Sequence, residues 1–360
     1  MTRYLLAGGG TAGHVNPLLA LAEYIRSQQP EAKIFALGTT EGLEARLVPE
    51  RGFDLRTTDR LPFPRKLDAY ALRFPMLFAR SVKQVQQLIV DEKIDVVIGF
   101  GGYASAPAYE AARKTRTPIV VHEANALPGL ANRRAAKYAN AVGVAFKNAP
   151  VFKAQFVGMP LRPEIESLAK GKDAVTARAH FGLKPDVVTL LVTGGSLGAK
   201  RINDTIEASR AALSAAGVQV LHIVGSKSDL VEVSEPGYVR ISYCDRMDLA
   251  ISAADIAIAR AGASTVSEFS ALGLPAVYVP YPVGNGEQAL NAKTTVDAGG
   301  ALLVTDANFT PDFVKNSIIP LVSSTKRISA MALASKSVGV IDGTKRLFDL
   351  VQGVLKPSRS

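Results

Sequence analysis

Short apolar segments alternate with amphipathic helical patterns along the whole sequence, and this alternation limits the fold more than any other feature. The first segment, 4–7, runs into the glycine turn 8–10, an amphipathic stretch follows from Pro17, and a second apolar segment covers 33–37. Similar segments occupy 95–100, 118–122, 141–145, 156–158, 187–193, 218–224, 239–242, 255–260, 276–280 and 301–304. Buried strands that alternate with crossover helices form parallel sheets. The pattern therefore predicts an α/β protein with doubly wound sheets.

The two halves of the chain repeat one local pattern, in which a strand enters a glycine turn before a helix. LLAGGGTAG at 5–13 resembles LLVTGGSLG at 190–198. The length of 360 residues fits two domains at about 150 residues per domain. GMPLRP at 158–163 and the polar stretch 164–173 have the composition of a linker. We therefore predict domains 1–162 and 163–340, and a last helix in 341–360 that periodicity assigns to neither.

Composition excludes several classes of protein. A single cysteine, Cys244, cannot form an intramolecular disulfide, and four scattered histidines give no zinc spacing. The first residues match a buried strand better than a secretory signal, and glycine and proline interrupt the longest charge-free stretch, 269–286. We thus expect a cytoplasmic protein with no spanning helix. A net charge of +10 predicts attraction to nucleic acid, an anionic lipid surface or a phosphorylated substrate.

The first glycine turn formally matches the G-x-G-x-x-G pattern of dinucleotide-binding proteins through Gly8, Gly10 and Gly13. A nicotinamide dinucleotide also needs an acidic residue at the end of the second strand. The second strand instead runs from Leu37 into 38–40, which contains no acid. We therefore do not expect NAD binding.

His14 lies at the start of the helix that follows this turn. Asn16 is suited to cap the helix and Pro17 to occupy its first turn, which would place His14 on a tight loop. A lone turn histidine usually bonds a carbonyl. Imidazole, however, is suited to proton transfer near neutral pH, and doubly wound folds place their chemistry at the carboxyl ends of strands. The context favours a catalytic role.

Two more polar clusters in the first half, GGYASAP at 101–107 and HEANA at 122–126, directly follow strands. Strand order in such folds brings these ends together, so we predict that both clusters converge with His14. His122 fits a structural role at a strand end. For Glu123 and Asn125, turn chemistry and ligand contact remain equally open.

In the second half, RAGASTVSE at 260–268 leads from a strand into a helix whose first turn is small and hydroxyl-rich. Such a helix start binds anions without a metal. Glu268 is suited to two ribose hydroxyls, although it also reads as an ordinary helical glutamate. The amides of GEQALNA at 286–292 suit sugar hydroxyls, and the alternative there is an exposed polar helix start.

The segment 60–83 contains six basic residues and one acid, with apolar residues between them. Cations interleaved with apolar side chains are typical of a patch that binds an anionic leaflet. Inward packing of the apolar residues is the alternative. The predicted membrane patch consists of Arg65, Lys66, Phe74, Leu77, Phe78 and Arg80.

These clusters together resemble the MurG family of UDP-N-acetylglucosamine transferases, which glycosylate undecaprenyl-pyrophosphoryl-N-acetylmuramyl-pentapeptide (lipid I) to form lipid II. The resemblance covers nearly the whole chain. Its most specific motifs are GGGTAGHVNP at 8–17, GGYASAP at 101–107, HEANALPGLANR at 122–133, GGSLGAKRIND at 194–204 and RAGASTVSEFSALGLPAVYVPYP at 260–282.

The resemblance implies a GT-B architecture of two Rossmann-like domains separated by a cleft, with a final helix that returns to the first domain. It also implies a reaction that inverts the configuration at the donor sugar and needs no metal or other cofactor. It implies His14 as general base with Glu123 as second choice, and Gly101, Gly102 and Tyr103 on the acceptor side. It also implies a peripheral location at the cytoplasmic face of the plasma membrane. The residues implied in binding the UDP-sugar donor are Thr11, Ala12, Gly13, Asn125, Arg162, Ser196, Cys244, Ala263, Ser264, Thr265, Val266, Ser267, Glu268 and Gln288.

The sequence departs from the family pattern at Ala12, Ala124, Leu197 and Glu287, so a side-chain contact from Leu197 to phosphate or from Glu287 to sugar is in doubt. Another GT-B enzyme, either a UDP-sugar epimerase or a transferase with a different acceptor, is the alternative. A basic nucleic-acid-binding protein is a rival of another class. The chain has no nucleic-acid motif and only 7% aromatic residues, so we do not expect nucleic acid as a partner.

Overall fold

Two seven-stranded sheets carry the fold, one in each of the two units into which the chain divides. The first unit is Met1–Arg162 with the chain from Asp342 onward, and the second is Pro163–Ile341. The computed structural model describes residues 1–64 and 66–355. The strands are β1 (Arg3–Ala7), β2 (Lys33–Gly38), β3 (Asp54–Thr57), β4 (Val96–Gly99), β5 (Ile119–Glu123), β6 (Ala141–Val144), β7 (Ala154–Phe156), β8 (Thr189–Thr193), β9 (Gln219–Ile223), β10 (Val233–Glu235), β11 (Tyr238–Ile241), β12 (Ile256–Ala259), β13 (Ala276–Tyr278) and β14 (Ala301–Leu303).

Helices connect almost all of these strands. A 3₁₀ turn at Leu168–Lys170 and a π-helical turn at Val314–Ile318 interrupt the α-helices. The α-helices are α1 (Ala12–Gln28), α2 (Glu44–Glu50), α3 (Ala69–Asp91), α4 (Ser105–Thr115), α5 (Leu130–Ala135), α6 (Pro163–Ser167), α7 (Ala174–His180), α8 (Lys200–Ala208), α9 (Arg210–Ala215), α10 (Met247–Ala253), α11 (Ala263–Ala271), α12 (Glu287–Asp297), α13 (Pro311–Phe313), α14 (Ile319–Val322), α15 (Thr325–Val338) and α16 (Gly343–Leu355).

The first sheet is parallel throughout, in the order β3-β2-β1-β4-β5-β6-β7. Along β1, Leu5 and Ala7 enter one apolar core, whereas Tyr4 and Leu6 enter the core on the opposite face. Successive side chains of a strand point to opposite faces, so both faces must be covered by helices. This arrangement confirms the predicted doubly wound α/β class.

The last helix, α16, completes the core on one face of the first sheet. Leu347 and Val351 are fully buried beside residues of α1 and β1. Gly143 of β6 makes room for the helix, since a Cβ atom at this position would lie 3.4 Å from Leu347 Cδ1. At its start, Thr344 Oγ1 accepts a hydrogen bond from the amide of Leu161 at 3.2 Å. The chain thus returns to the first unit after the second unit ends.

The second sheet has the order β10-β11-β9-β8-β12-β13-β14 and is parallel except for the edge pair β10–β11. Its interior strands β8 and β12 are buried along their whole length. The sheet therefore repeats the Rossmann-like pattern of the first, with one antiparallel edge strand.

Several local predictions were wrong. Helix α1 begins at Ala12 with Thr11 at the N-cap, so Asn16 is not the cap and Pro17 lies in the helix interior. The expected linker 164–173 contains α6 and a 3₁₀ turn, with Ile165 fully buried. β7 ends at Phe156, where it was expected to begin, and β3 and β10 were not predicted.

No helix within residues 1–64 and 66–355 combines the length and apolarity needed to cross a membrane.

Candidate active site

The carboxyl ends of β1, β4 and β5 are neighbours in the first sheet, and the polar clusters that follow them meet at this edge. Gly101, which follows β4, lies beside His14. A Cβ atom at Gly101 would lie 3.0 Å from His14 Nε2 and 3.4 Å from Asn132 Nδ2. Asn132 in turn donates a hydrogen bond from Nδ2 to Glu123 Oε2 at 2.9 Å, so the predicted convergence of the three clusters is observed.

His14 is half-buried in the first turn of α1, with its two ring nitrogens in different surroundings. Nδ1 lies 3.1 Å from the carbonyl oxygen of Gly9 and 3.4 Å from Thr11 Oγ1. A carbonyl oxygen only accepts hydrogen bonds, so this contact requires a proton on Nδ1. In the neutral ring, Nε2 then carries the lone pair, and Nε2 faces Gly101.

Glu123, at the end of β5, is buried and organises the loop that follows it. Its carboxylate accepts hydrogen bonds from the amides of Asn125 at 2.8 Å and Gly129 at 3.0 Å, and from Asn132 Nδ2 at 2.9 Å. Burial raises the pKa of Glu123, while these hydrogen bonds and the charge of His14 act in the opposite direction. The structure brings Glu123 close to His14 but commits its carboxylate to holding residues 124–129.

His122 faces the interior of the first unit. Its ring is fully buried against Phe100, and Nε2 lies 3.1 Å from the carbonyl oxygen of Gly158. Burial lowers the pKa of His122 to about 4, so the ring is neutral at physiological pH. These contacts give His122 a structural role.

The predicted acceptor-side residues follow β4. Gly101 and Gly102 have φ angles of +94° and +82°, which favour glycine. A Cβ atom on Gly102 would lie 2.4 Å from the carbonyl oxygen of Gly9, so this close approach also requires glycine. The half-buried ring of Tyr103 lies under the Arg60 guanidinium, 5.3 Å from the ring centroid.

In the second unit, the glycine turn after β8 is packed against the turn after β9. A Cβ atom on Gly198 would lie 2.2 Å from the carbonyl oxygen of Val224. The carbonyl of Ser196 accepts hydrogen bonds from the amide and hydroxyl of Ser226, each at 3.0 Å. The Ser196 side chain and Leu197 are exposed. This turn therefore offers the Ser196 hydroxyl and a fixed backbone to a ligand.

Helix α11 begins shortly after β12, and its N-cap residue, Gly262, has no side chain that could cap the helix. Ser264, Thr265 and Ser267 are half-buried around this first turn, and Ser264 Oγ has no hydrogen-bond partner within the described chain. Ala263, Val266 and Glu268 are buried on the same helix. The start of α11 therefore presents N–H and hydroxyl groups that can donate hydrogen bonds to a phosphate.

The other polar residues considered for binding of the UDP-sugar in the second unit differ in their exposure to solvent. Gln288 is half-buried, and its Oε1 accepts a hydrogen bond from the amide of Tyr281 at 3.0 Å. Cys244 is buried in the loop after β11. Asn291 is fully buried, with Nδ2 3.3 Å from the carbonyl oxygen of Ala261. The side chain of Asn291 therefore supports the turn before α11.

Five residues predicted to contact the donor belong to the first unit. Thr11 is exposed, and Ala12, Gly13, Asn125 and Arg162 are half-buried. Thr11, Ala12 and Gly13 form the start of α1, where the side chain of the N-cap residue Thr11 makes no capping hydrogen bond. Arg162 is the last residue of the first unit before the chain enters α6.

The basic segment 60–83 exposes both cationic and apolar side chains. Arg65 lies outside the described residues, and Lys66, Arg73 and Arg80 are exposed. Phe74, Leu77 and Phe78 are half-buried, with the rings of Phe74 and Phe78 stacked at 5.9 Å, so each keeps part of its surface accessible. The large exposed apolar side chains are Phe63, Leu67, Leu72 and Met76.

Sequence reasoning missed two charged residues that shape these sites. Glu44, the first residue of α2, is fully buried beside the first glycine turn. Arg260, at the end of β12, forms an ion pair with Asp306 at 2.6 Å and donates to the carbonyl oxygens of Val279 and Pro280 at 3.0 Å. The position of Arg260 directly after a strand could have indicated a role at this site. Nothing in the local sequence distinguishes Glu44 from Glu41.

Comparison with known proteins identifies the family. The model of the glycosyltransferase family 28 N-terminal domain matches residues 4–144, and that of the C-terminal domain matches residues 189–347. The chain belongs to glycosyltransferase family 28. This enzyme is 56% identical, over 98% of both chains, to the UDP-N-acetylglucosamine--N-acetylmuramyl-(pentapeptide) pyrophosphoryl-undecaprenol N-acetylglucosamine transferase of Leifsonia xyli subsp. xyli. The resemblance to the MurG family is confirmed.

Solved structures agree with this family 28 assignment. MurG from Acinetobacter baumannii is 26% identical, with a TM-score of 0.79 over 98% of this chain and 100% of that chain. The calicheamicin glycosyltransferase CalG4 has a TM-score of 0.69 over 100% of both chains at 16% identity, which shows a shared fold alone. The close relatives by sequence do not favour the alternatives of an epimerase or a transferase with a different acceptor.

Proposed function

We propose that this family 28 enzyme transfers N-acetylglucosamine from UDP-N-acetylglucosamine to the 4-hydroxyl of the N-acetylmuramyl residue of lipid I. The name of the Leifsonia relative states this donor and acceptor type. The observation in the structure that carries the proposal is His14, which has Nδ1 anchored on the Gly9 carbonyl and Nε2 directed toward Gly101. A base held in one orientation at a strand edge is what activation of a sugar hydroxyl requires.

The reaction needs one direct displacement. His14 Nε2 takes the proton of the acceptor hydroxyl while that oxygen forms a bond to C1 of the donor sugar. The bond between C1 and the β-phosphate oxygen breaks, UDP leaves with the electron pair, and the α-linked sugar becomes β-linked. The product is the donor sugar joined to the acceptor, and a mass increase of one N-acetylhexosamine on a lipid I analogue tests this.

The departing UDP would be stabilised by the free donors at the start of α11, with Ala263, Ser264 and Thr265 nearest to the phosphates. Preorganised N–H and O–H groups stabilise developing negative charge without reorganising during the reaction. In this proposal Val266 and Ser267 complete the same turn and Glu268 binds the ribose hydroxyls. Ser196 contacts phosphate, the backbone at Cys244 binds uracil, and Gln288 binds the sugar. The further residues proposed to contact the UDP-sugar are Thr11, Ala12, Gly13, Asn125 and Arg162.

Glu123 has a different role from His14 in this mechanism. Its carboxylate already accepts three hydrogen bonds from the 124–132 segment, so taking a substrate proton would disrupt the loop that it holds. We therefore assign Glu123 as a positioning residue that sets the conformation around Asn125. Gly101, Gly102 and Tyr103 form the acceptor side in this proposal.

We further propose that the segment 60–83 binds the anionic surface in which a lipid-linked acceptor resides. Leu67, Leu72 and Met76 expose apolar surface, and Arg73 and Arg80 are exposed on the same segment. Apolar side chains that enter the interface, with cations beside anionic headgroups, give peripheral binding. A location at the cytoplasmic face of the plasma membrane would follow from this binding.

Neutralising Arg73→Gln and Arg80→Gln together should weaken binding to anionic lipid vesicles by about 30-fold, since each cation near such a surface contributes about 1 kcal/mol. Replacing Leu72→Ser and Met76→Ser should weaken binding to both anionic and neutral vesicles. Vesicle co-sedimentation at low and high salt measures both effects. Lys315→Gln with Lys326→Gln, two exposed cations of the second unit, is the control. Binding that is unchanged in both patch variants would contradict the proposal.

A further inference from the structure

A buried carboxylate lies directly behind the glycine turn that carries His14. Glu44 is fully buried, and its Oε2 accepts a hydrogen bond from the amide of Gly10 at 2.8 Å. Its Oε1 accepts from the amide and the hydroxyl of Thr39, both at 2.8 Å. In all three contacts Glu44 is the acceptor, which is the bonding pattern of an ionised carboxylate. A buried charge is tolerated only with such compensation.

Glu44 and His14 bind opposite ends of one peptide group. The amide that donates to Glu44 belongs to Gly10, and the carbonyl contacted by His14 Nδ1 belongs to Gly9. These two groups share the peptide bond between the glycines. In a trans peptide the C=O and N–H groups point in opposite directions, so the carboxylate, the peptide and the imidazole form one hydrogen-bonded chain.

Close packing holds this peptide in place from both sides. A Cβ atom on Gly9 would lie 2.2 Å from Glu44 Oε1, and one on Gly102 would lie 2.4 Å from the carbonyl oxygen of Gly9. A side chain on Gly102 would displace this peptide, and a side chain on Gly9 would displace the Glu44 carboxylate. The spacing of the chain from Glu44 to His14 is thus fixed by backbone contacts as well as by hydrogen bonds.

We propose that Glu44 is a positioning residue for His14, acting through the Gly9–Gly10 peptide. The negative carboxylate polarises the peptide, which strengthens the Gly9 carbonyl as an acceptor for Nδ1–H. This keeps the Nδ1–H tautomer and leaves Nε2 free to accept a proton. When the acceptor hydroxyl transfers its proton to Nε2, the same chain stabilises the imidazolium. Glu44 stays ionised throughout, and the proton leaves from Nε2 to solvent after transfer.

This role rests on the proposed function of His14 as general base, and other groups also act on His14. His122 and Glu123 of β5 are electrostatically coupled to His14, and both are unchanged in a Glu44 variant. A loss specific to Glu44 therefore reports on the chain through the peptide. Partners that orient metal-bound histidines typically contribute about 10- to 100-fold, and we expect a similar range for an orienting partner of His14.

The test compares Glu44→Gln with Thr39→Val. Glu44→Gln removes the charge behind the peptide, and we expect kcat to fall by about 10- to 100-fold while KM for the donor stays near its original value. The acid limb of the kcat/KM profile should move to lower pH, because the imidazolium loses a stabilising charge. Thr39→Val removes one hydrogen bond to Oε1 but keeps the charge and the peptide contact. This control should leave the acid limb in place.

A double-mutant cycle separates the two claims. If Glu44 acts through His14, Glu44→Gln should have no further effect on kcat in a His14→Ala background, whereas independent effects would overturn the positioning role. Normal turnover of His14→Ala would instead overturn the proposed base. A folded Glu44→Gln enzyme with normal kcat and an unchanged pH profile, beside an impaired His14→Ala enzyme, would overturn the Glu44 role alone.

A measurement on the unmodified enzyme covers the case in which Glu44→Gln fails to fold. ¹⁵N NMR of labelled imidazole nitrogens, with the His14 signals identified by their loss in His14→Gln, reports which ring nitrogen carries the proton. We expect the neutral ring to carry its proton on Nδ1 and not on Nε2. The opposite tautomer would overturn the proposal.

Discussion

Replacing His14 with alanine should lower kcat by about 10²- to 10⁴-fold, the usual contribution of a general base. The side chain contacts the reacting hydroxyl only in the acceptor complex, so binding of UDP and KM for the donor should change little. Initial rates of UDP release at saturating donor and acceptor measure the effect. The size of the loss follows from removing an interaction that strengthens in the transition state.

His180→Ala is a matched control for this experiment. His180 is an exposed histidine at the end of α7 in the second unit, so its removal tests whether loss of any imidazole lowers the rate. We expect near-normal turnover from this variant. Near-normal turnover of His14→Ala, with the protein folded and binding UDP, would contradict the assignment of His14 as the base.

Leu347→Ala should lower the free energy of unfolding by about 2–5 kcal/mol, the range for removing a large buried aliphatic side chain. Leu347 of α16 is fully buried against α1 and the first sheet. The cavity would open beside Gly143 of β6, because a Cβ atom at Gly143 would lie only 3.4 Å from Leu347 Cδ1. Chemical denaturation followed by circular dichroism measures the change.

Leu333→Ala provides the comparison for this stability measurement. Leu333 lies on α15 and is 72% exposed, so its truncation should change the free energy of unfolding by no more than about 0.5 kcal/mol. If Leu347→Ala were as mild as Leu333→Ala, α16 would not be part of the core of the first unit.

The strands that the sequence predicts well are the buried ones. β1, β4, β8 and β12 are short apolar runs followed by glycine or polar turns, and burial on both faces gives them a strong signal. β3 and β10 were missed because they are edge strands with polar residues, Asp-Leu-Arg-Thr and Val-Ser-Glu. Such strands are defined by pairing to a neighbour, which a local pattern does not show.

The start of α1 shows how tertiary contacts override local signals. Asn16 and Pro17 are a typical cap and first-turn pair, yet the helix begins at Ala12. The turn before it is fixed by the hydrogen bond from Gly10 to Glu44 and by the close approach of Gly102. These partners are distant in sequence, so neither propensity nor capping patterns reveal where the chain enters the helix.

The candidate site was predictable where strand ends carry unusual residues. His14, Gly101 and Glu123 each follow or end a buried strand, and parallel strands place such residues along one edge. Glu44 was not predictable, since it begins the short helix α2 with no periodic or motif signal. Its burial against Gly9 emerges only when β1 and β2 pair.

The most direct test of the proposed reaction is UDP release from UDP-N-acetylglucosamine by the purified enzyme, with and without a short-chain lipid I analogue, in the presence of EDTA. We predict UDP release that requires the acceptor, persists in EDTA, and accompanies a product heavier by one N-acetylhexosamine. UDP release at the same rate without acceptor, and with no heavier product, would contradict the transfer and point to hydrolysis or epimerisation of the donor.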